Sequence, residues 1–220
     1  MKTLTLGLTA VASALLAGAL ISQRKDSNRG IGILPIITPF IDSRVADSFL
    51  IDLERNHDRP LVVVIHTFGG SVTPCAQIAR ALLTLETVST VVPVRAYSGG
   101  TLIALSAETV AMGEFACMSA VDPILDERRA RHFDQMKDSL DQLDAKEHFS
   151  AMMGLVDEII ARRKVPSEKL KAARTLLSGE KYPHGWPLNS VMLADAGITV
   201  ERAAPFWSSS LERFLHEDFV

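Results

Sequence analysis

The sequence predicts an α/β fold: a parallel sheet built from βαβ units, with a helical extension towards the carboxyl end. Three observations predict it. Leu61-Val62-Val63-Val64-Ile65 is a continuous apolar run, the mark of a strand buried on both faces. Strand-like and helix-like stretches alternate at short intervals through residues 31–118. Beyond Pro123 apolar residues recur mostly at three and four, the helical spacing.

The elements follow in order. Residues 3–23 carry no charge and are dominated by Leu, Ala, Val and Ile. About 20 such residues suffice to cross a bilayer as a helix. Residues 1–23 are therefore expected to be an uncleaved anchor. The alternative is a secretory signal with Lys2 as its basic start and Ala17-Gly18-Ala19 as the cleavage motif. Arg24, Lys25 and Arg29 follow the run, which by positive-inside counting leaves the main domain cytoplasmic; signal cleavage would instead export it. Residues 24–30 are polar and read as a linker, residues 31–200 as the domain, and residues 201–220 as a tail.

Within the domain, Ile31–Ile37 is a β-branched run whose Pro35 suits an edge strand. Val45, Phe49, Leu50 and Leu53 mark a helix over 45–55, and the Leu61–Ile65 strand follows. Ile78, Ala79, Leu82 and Leu83 give the inward face of a helix over 75–85. A strand at 90–94, a small-residue helix at 101–107 and short strands at 109–112 and 116–118 complete the alternation. The stretch 126–164 reads as one long or once-broken amphipathic helix, with further helices after Pro166 and over 188–196.

Composition narrows the chemistry. A formal net charge of −3 supplies no basic face for nucleic acid. Cys75 and Cys117 lack metal-type spacing and read as small buried hydrophobes, with a disulfide open only to an exported domain. No metal site is legible.

Two glycine turns carry the chemical reading, each at the carboxyl end of a strand, where open α/β sheets bind ligands. In His66-Thr67-Phe68-Gly69-Gly70 the paired glycines turn the backbone tightly and expose N–H groups at the start of a helix. Such groups can hold the negative oxygen formed when a carbonyl is attacked. In Ala96-Tyr97-Ser98-Gly99-Gly100 a serine sits between strand and helix with small residues at −2 and +2, the layout of a nucleophile elbow. Each turn alone has an ordinary structural explanation: a tight strand–helix turn, and a serine capping a helix. Together they favour chemistry.

These stretches resemble the serine dehydrogenase proteinase family of the Clp-protease/crotonase superfamily, membrane-associated proteins regarded as serine peptidases. The likeness rests on His66-Thr67-Phe68-Gly69-Gly70, Gln77-Ile78-Ala79-Arg80-Ala81-Leu82, Tyr97-Ser98-Gly99-Gly100-Thr101-Leu102-Ile103-Ala104-Leu105, Asp122-Pro123 and His184-Gly185-Trp186-Pro187. It spans roughly residues 31–200. The resemblance implies a Clp/crotonase-like superhelix of βαβ units and Ser98 as nucleophile. It implies the Gly69, Gly70 and Gly99 amides as oxyanion hole, no metal or organic cofactor, and a homo-oligomer. The expected substrate is a polypeptide, in an unfolded or membrane-protein segment. The amphipathic stretch 133–160 offers an interface between copies.

The sequence departs from that family at two places. Phe68 stands where proline is usual, and Ser119-Ala120 where Gly-Pro is usual. Clp-type peptidases also carry a catalytic histidine about 25 residues after the serine, and here that stretch is Ala120-Val121-Asp122-Pro123. Serine at its free pKa is a poor nucleophile and needs a base. His184, in a non-helical turn, is one candidate. Lys137 is the alternative, with Lys146 at similar spacing, as in the Ser-Lys dyads of membrane-bound relatives. His66 would orient or pack, and Asp122 could orient a base. A crotonase-like acyl-CoA enzyme and an inactive membrane-anchored scaffold are the competing functions.

Overall fold

The computed structural model describes residues 30–125, 128–136 and 138–203. The apolar segment at 3–23, Lys137 and the tail beyond 203 lie outside the described residues. Among the described residues no helix is long and apolar enough to cross a membrane.

The strands are β1 (Gly32–Ile37), β2 (Leu61–His66), β3 (Val88–Val92), β4 (Arg95–Ala96), β5 (Thr109–Met112), β6 (Cys117–Met118), β7 (Ile124–Leu125), β8 (Arg128–Arg129) and β9 (Glu201–Arg202). The helices are α1 (Ser43–Asn56), α2 (Val72–Leu83), α3 (Gly99–Ser106), α4 (Ser139–Arg162), α5 (Leu170–Leu177) and α6 (Ser190–Asp195). The main sheet is ordered β1-β2-β3-β5-β9 and every pair in it is parallel. Parallel strands need crossovers, and α1 and α2 supply the first two. Every residue of β2 is buried, as its unbroken apolar run requires, and Pro35 lies on the edge strand. Asp42 caps α1 by accepting from the Val45 amide at 2.9 Å.

The sheet's core face packs Leu34, Val63, Ile65 and Val92 against Ile78, Leu82, Ile103 and Leu105 of the helices. Met152, Val156 and Ile159 of α4 complete this core. Helix α3 is buried along its whole length, so its small and aliphatic residues are an interior composition.

Two findings correct the sequence reading. The stretch 126–164 is not one helix: β7 and β8 form an antiparallel pair, residues 130–135 make a 3₁₀ turn, and only Ser139–Arg162 is α-helical. Phe133 and Met136 pack with Ala130 and Ala145 in a small cluster of their own. Their helical spacing reflected a satellite core, which periodicity alone cannot distinguish from a helix face. Second, Glu201–Arg202 adds a fifth parallel strand beside β5, too short and polar to be legible in sequence.

Candidate active site

The two glycine turns meet. Beyond β2 the chain continues beside β4, with Thr67 donating to the Arg95 carbonyl and Tyr97 to the Thr67 carbonyl, 3.2 and 3.1 Å. Gly69 has φ +108°, a conformation open to glycine, and a Cβ there would come within 2.8 Å of the Ser98 Cβ. A Cβ on Gly99 would meet the Cys75 sulfur at 2.3 Å and lie 3.7 Å from the Gly70 nitrogen. Small residues are required where the elbow, α2 and the first turn crowd together.

Ser98 adopts φ 51° and ψ −118°, a strained conformation for a side-chain-bearing residue. Such a backbone costs on the order of 1–3 kcal/mol and persists only where the surroundings enforce it. They do so here. The Ser98 amide donates to the Ser119 hydroxyl oxygen at 2.8 Å. The Ser119 amide in turn donates to Thr101 Oγ1 at 3.0 Å, and the Thr101 hydroxyl to the Ala96 carbonyl at 2.6 Å. Ser119 and Thr101 are fully buried, so this chain of bonds is a rigid brace.

Of the three glycine amides expected to face an oxyanion, that of Gly69 is occupied: it donates to Thr67 Oγ1 at 3.0 Å. Gly70 and Gly99 line a cavity of about 340 Å³ together with Ser98 and His184. Apart from Ser71 the other walls are apolar, including Phe68, Val72, Cys75, Val121 and Met152.

His184 reaches this cavity from the far side of the chain. Its turn is anchored at both ends on the strand-like segment 118–122: Met118 and Leu188 exchange amide bonds at 2.9 and 2.8 Å, and Val121 donates to Leu177. The Tyr182 and Trp186 rings stack 5.8 Å apart across the turn. His184 Nδ1 lies 2.9 Å from Asp122 Oδ1. Asp122 is completely buried, and Arg129 bonds its other oxygen. Burial alone would raise the Asp122 pKa, but the hydrogen bonds and charges of His184 and Arg129 overcome it and hold the carboxyl below its ordinary value.

The other candidates stand elsewhere. Lys137 lies outside the described residues, and Lys146 is exposed on α4, away from the cavity. His66 is buried in β2 and does not line the cavity; burial, then Arg95, lowers its pKa to about 4, so it stays neutral. Cys75 and Cys117 are free thiols. Burial raises the Cys75 thiol to about 12, leaving it an un-ionised wall of the cavity. Among the described residues no cluster of His, Cys, Asp or Glu could hold a metal. Sequence reasoning missed Ser119 and Arg129. Ser119 acts across 21 residues, and its only signal was its departure from Gly-Pro. Arg129 sits in the stretch read from sequence as an amphipathic helix, which gave it no special place.

Parallel sheet, stacked βαβ units and a strained serine at a strand–helix turn define the ClpP-like fold class, and solved structures agree. A membrane-bound stomatin-specific protease superposes with a TM-score of 0.55 at 13% identity, covering 86% of each chain. ClpP1 from Listeria monocytogenes gives a TM-score of 0.54 at 17% identity, covering 85% of this chain and 96% of that one. The chain belongs to the ClpP-like SDH-type serine proteinase family, whose model matches residues 20–211. Two uncharacterized proteins of Methanocaldococcus jannaschii are 31% identical over 160 residues and 33% identical over 159, each alignment covering 67% of this chain. The chain spans a little over half the length of these relatives, 56% and 54%.

Proposed function

We propose that this chain is a serine endopeptidase acting through a Ser98 acyl-enzyme, with His184 as base and Asp122 as its orienting carboxylate. One observation carries the reading: Ser98 and His184 line one cavity while His184 Nδ1 rests on a buried, ionised Asp122. With Nδ1 held as the protonated nitrogen, Nε2 is the one left to accept a proton. Ser98 Oγ attacks the peptide carbonyl carbon and its proton passes to His184. The oxyanion is met by the Gly70 and Gly99 amides. Collapse breaks the C–N bond, and the amine leaves with the proton from His184. Water then attacks the ester, again yielding its proton to His184, and the carboxylic acid departs as Ser98 is restored.

In chain order this is Ser…Asp…His, with Asp122 standing in the stretch where Clp-type enzymes carry histidine. Triads are defined by geometry rather than sequence order. The apolar walls favour an apolar substrate side chain, and exposed Phe40 and Phe68 at the cavity extend that preference outward. The acyl-CoA and scaffold alternatives leave the Ser98 strain and the His184–Asp122 pair without a purpose. The uncharged segment at 3–23 would tether the domain to a membrane, and Leu140 and Leu143, exposed on α4, would contribute to contacts between copies.

Fluorophosphonate labelling of wild type against Ser98→Ala tests the proposal. Labelling that disappears in the variant is expected. A folded wild type that never labels would overturn it.

A further inference from the structure

Arg129 makes more contacts with the candidate site than any sequence signal suggests. The β7–β8 pair sets Arg129 opposite Ile124, and the Ala130 amide donates to the Pro123 carbonyl at 2.8 Å, folding the chain back on Asp122. From there the guanidinium bonds Asp122 Oδ2 and the carbonyls of Gly179 and Tyr182. The last two lie on the chain leading into the turn that carries His184. Gly179, at φ +71°, leaves room for this approach: a Cβ there would sit 2.2 Å from the guanidinium and 2.7 Å from Asp122 Oδ1. The charged and titratable groups acting on Asp122 are His184 from the turn and Arg129 from β8.

We propose that Arg129 is a positioning residue for the hydrolysis. It fixes the buried Asp122 carboxylate and ties it to the His184 turn, so that base and carboxylate keep one geometry. This rests on the serine peptidase reading. A planar fork suits the task, because three acceptors on two chain segments must be satisfied at once. Lysine would keep the charge and lose the geometry. Arg131 offers an internal control: it bonds the Ser178 carbonyl and pairs with Glu180 on the same loop, at 3.5 Å in both cases, without a bond to Asp122.

The test reads the rate of Ser98 labelling by a fluorophosphonate from about pH 5 to about pH 9, the range in which a histidine base declares itself. Full-length wild type, Arg129→Gln and Arg131→Gln are compared. Outer partners that orient metal-bound histidines are commonly worth roughly 10–100-fold, and Arg129→Gln, acting on the proposed base through Asp122, should slow labelling by about that much at neutral pH. Its acid limb should move to higher pH, because removing a cation from beside the buried Asp122–His184 pair favours protonation of that pair. Added guanidinium should restore part of the rate in Arg129→Ala, and Arg131→Gln should keep the wild-type profile.

A folded Arg129→Gln with wild-type rate and acid limb overturns the proposal. So does an Arg131→Gln variant that matches it in every readout, since the effect would then be loop stapling alone. Should the glutamine variant not fold, Arg129→Lys is read by the same criteria. Absence of Ser98-dependent labelling in wild type sinks the peptidase reading itself. Normal wild-type labelling with an indifferent Arg129 sinks only the positioning role.

Discussion

Asp122 has no exposed surface, yet it is held ionised. Its lowered pKa has a definite consequence for stability. A carboxyl whose folded value lies below its unfolded value, about 3.9, stabilises the fold above that pH. The contribution is lost as pH falls through the folded value. Asp122→Asn strips the partner from Arg129, and breaking a buried pair costs about 3–5 kcal/mol. Thermal melts should show that deficit at neutral pH and a narrowing gap in strong acid. Ser98 labelling should fall by about 10⁴-fold, as when a triad loses its carboxylate. Ser119→Ala removes the acceptor of the Ser98 amide. An unsatisfied buried donor costs about 1–3 kcal/mol, so this variant should melt earlier and label more slowly, although Ser119 is fully buried and does not line the cavity.

Among the elements, the segment 118–122 does the most. Met118 pairs with Leu188, Ser119 braces Ser98, Val121 pairs with Leu177, and Asp122 bonds His184. Ser98 and His184, the proposed nucleophile and base, are both tied to one stretch of extended chain, and so line one cavity although 86 residues separate them. Little of this was legible beforehand. The βαβ alternation, the buried β2 and both glycine turns were readable because they rest on local patterns: apolar runs, helical spacing and Gly-Gly. The pairing of His184 with Asp122 spans 62 residues, and no local spacing encodes it; the two were separate candidates until the fold joined them. The antiparallel pairing of β7 with β8 was hidden because a charged run with spaced apolar residues imitates a helix. The close contact of α2 with α3 yields a prediction at this scale. Gly99→Ala should cost about 1–3 kcal/mol through collision with Cys75. Cys75→Gly in the same chain removes both colliding atoms and should recover labelling in a double-mutant cycle, although each single change destabilises.

For the whole molecule, the end of α4 is a joint. Arg162 donates to the carbonyls of Leu83 and Leu85, and Arg163 to those of Ala107, Glu108 and Thr199. These bonds lock the carboxyl half onto the ends of α2 and α3 and the approach to β9. Charge-assisted bonds of this kind are worth about 1.5–3 kcal/mol each, not all additive. Arg163→Met should lower the melting temperature by several degrees while leaving the pH profile of Ser98 labelling intact. The same joint orders events in time. Ser98 and Asp122 are synthesised before α4 and α5, and His184 only after them. A nascent or prematurely ended chain would carry Ser98 and Ser119 without His184, the proposed base. The proposed hydrolase would therefore be born inert, and its reactivity would switch on only when the carboxyl half has docked.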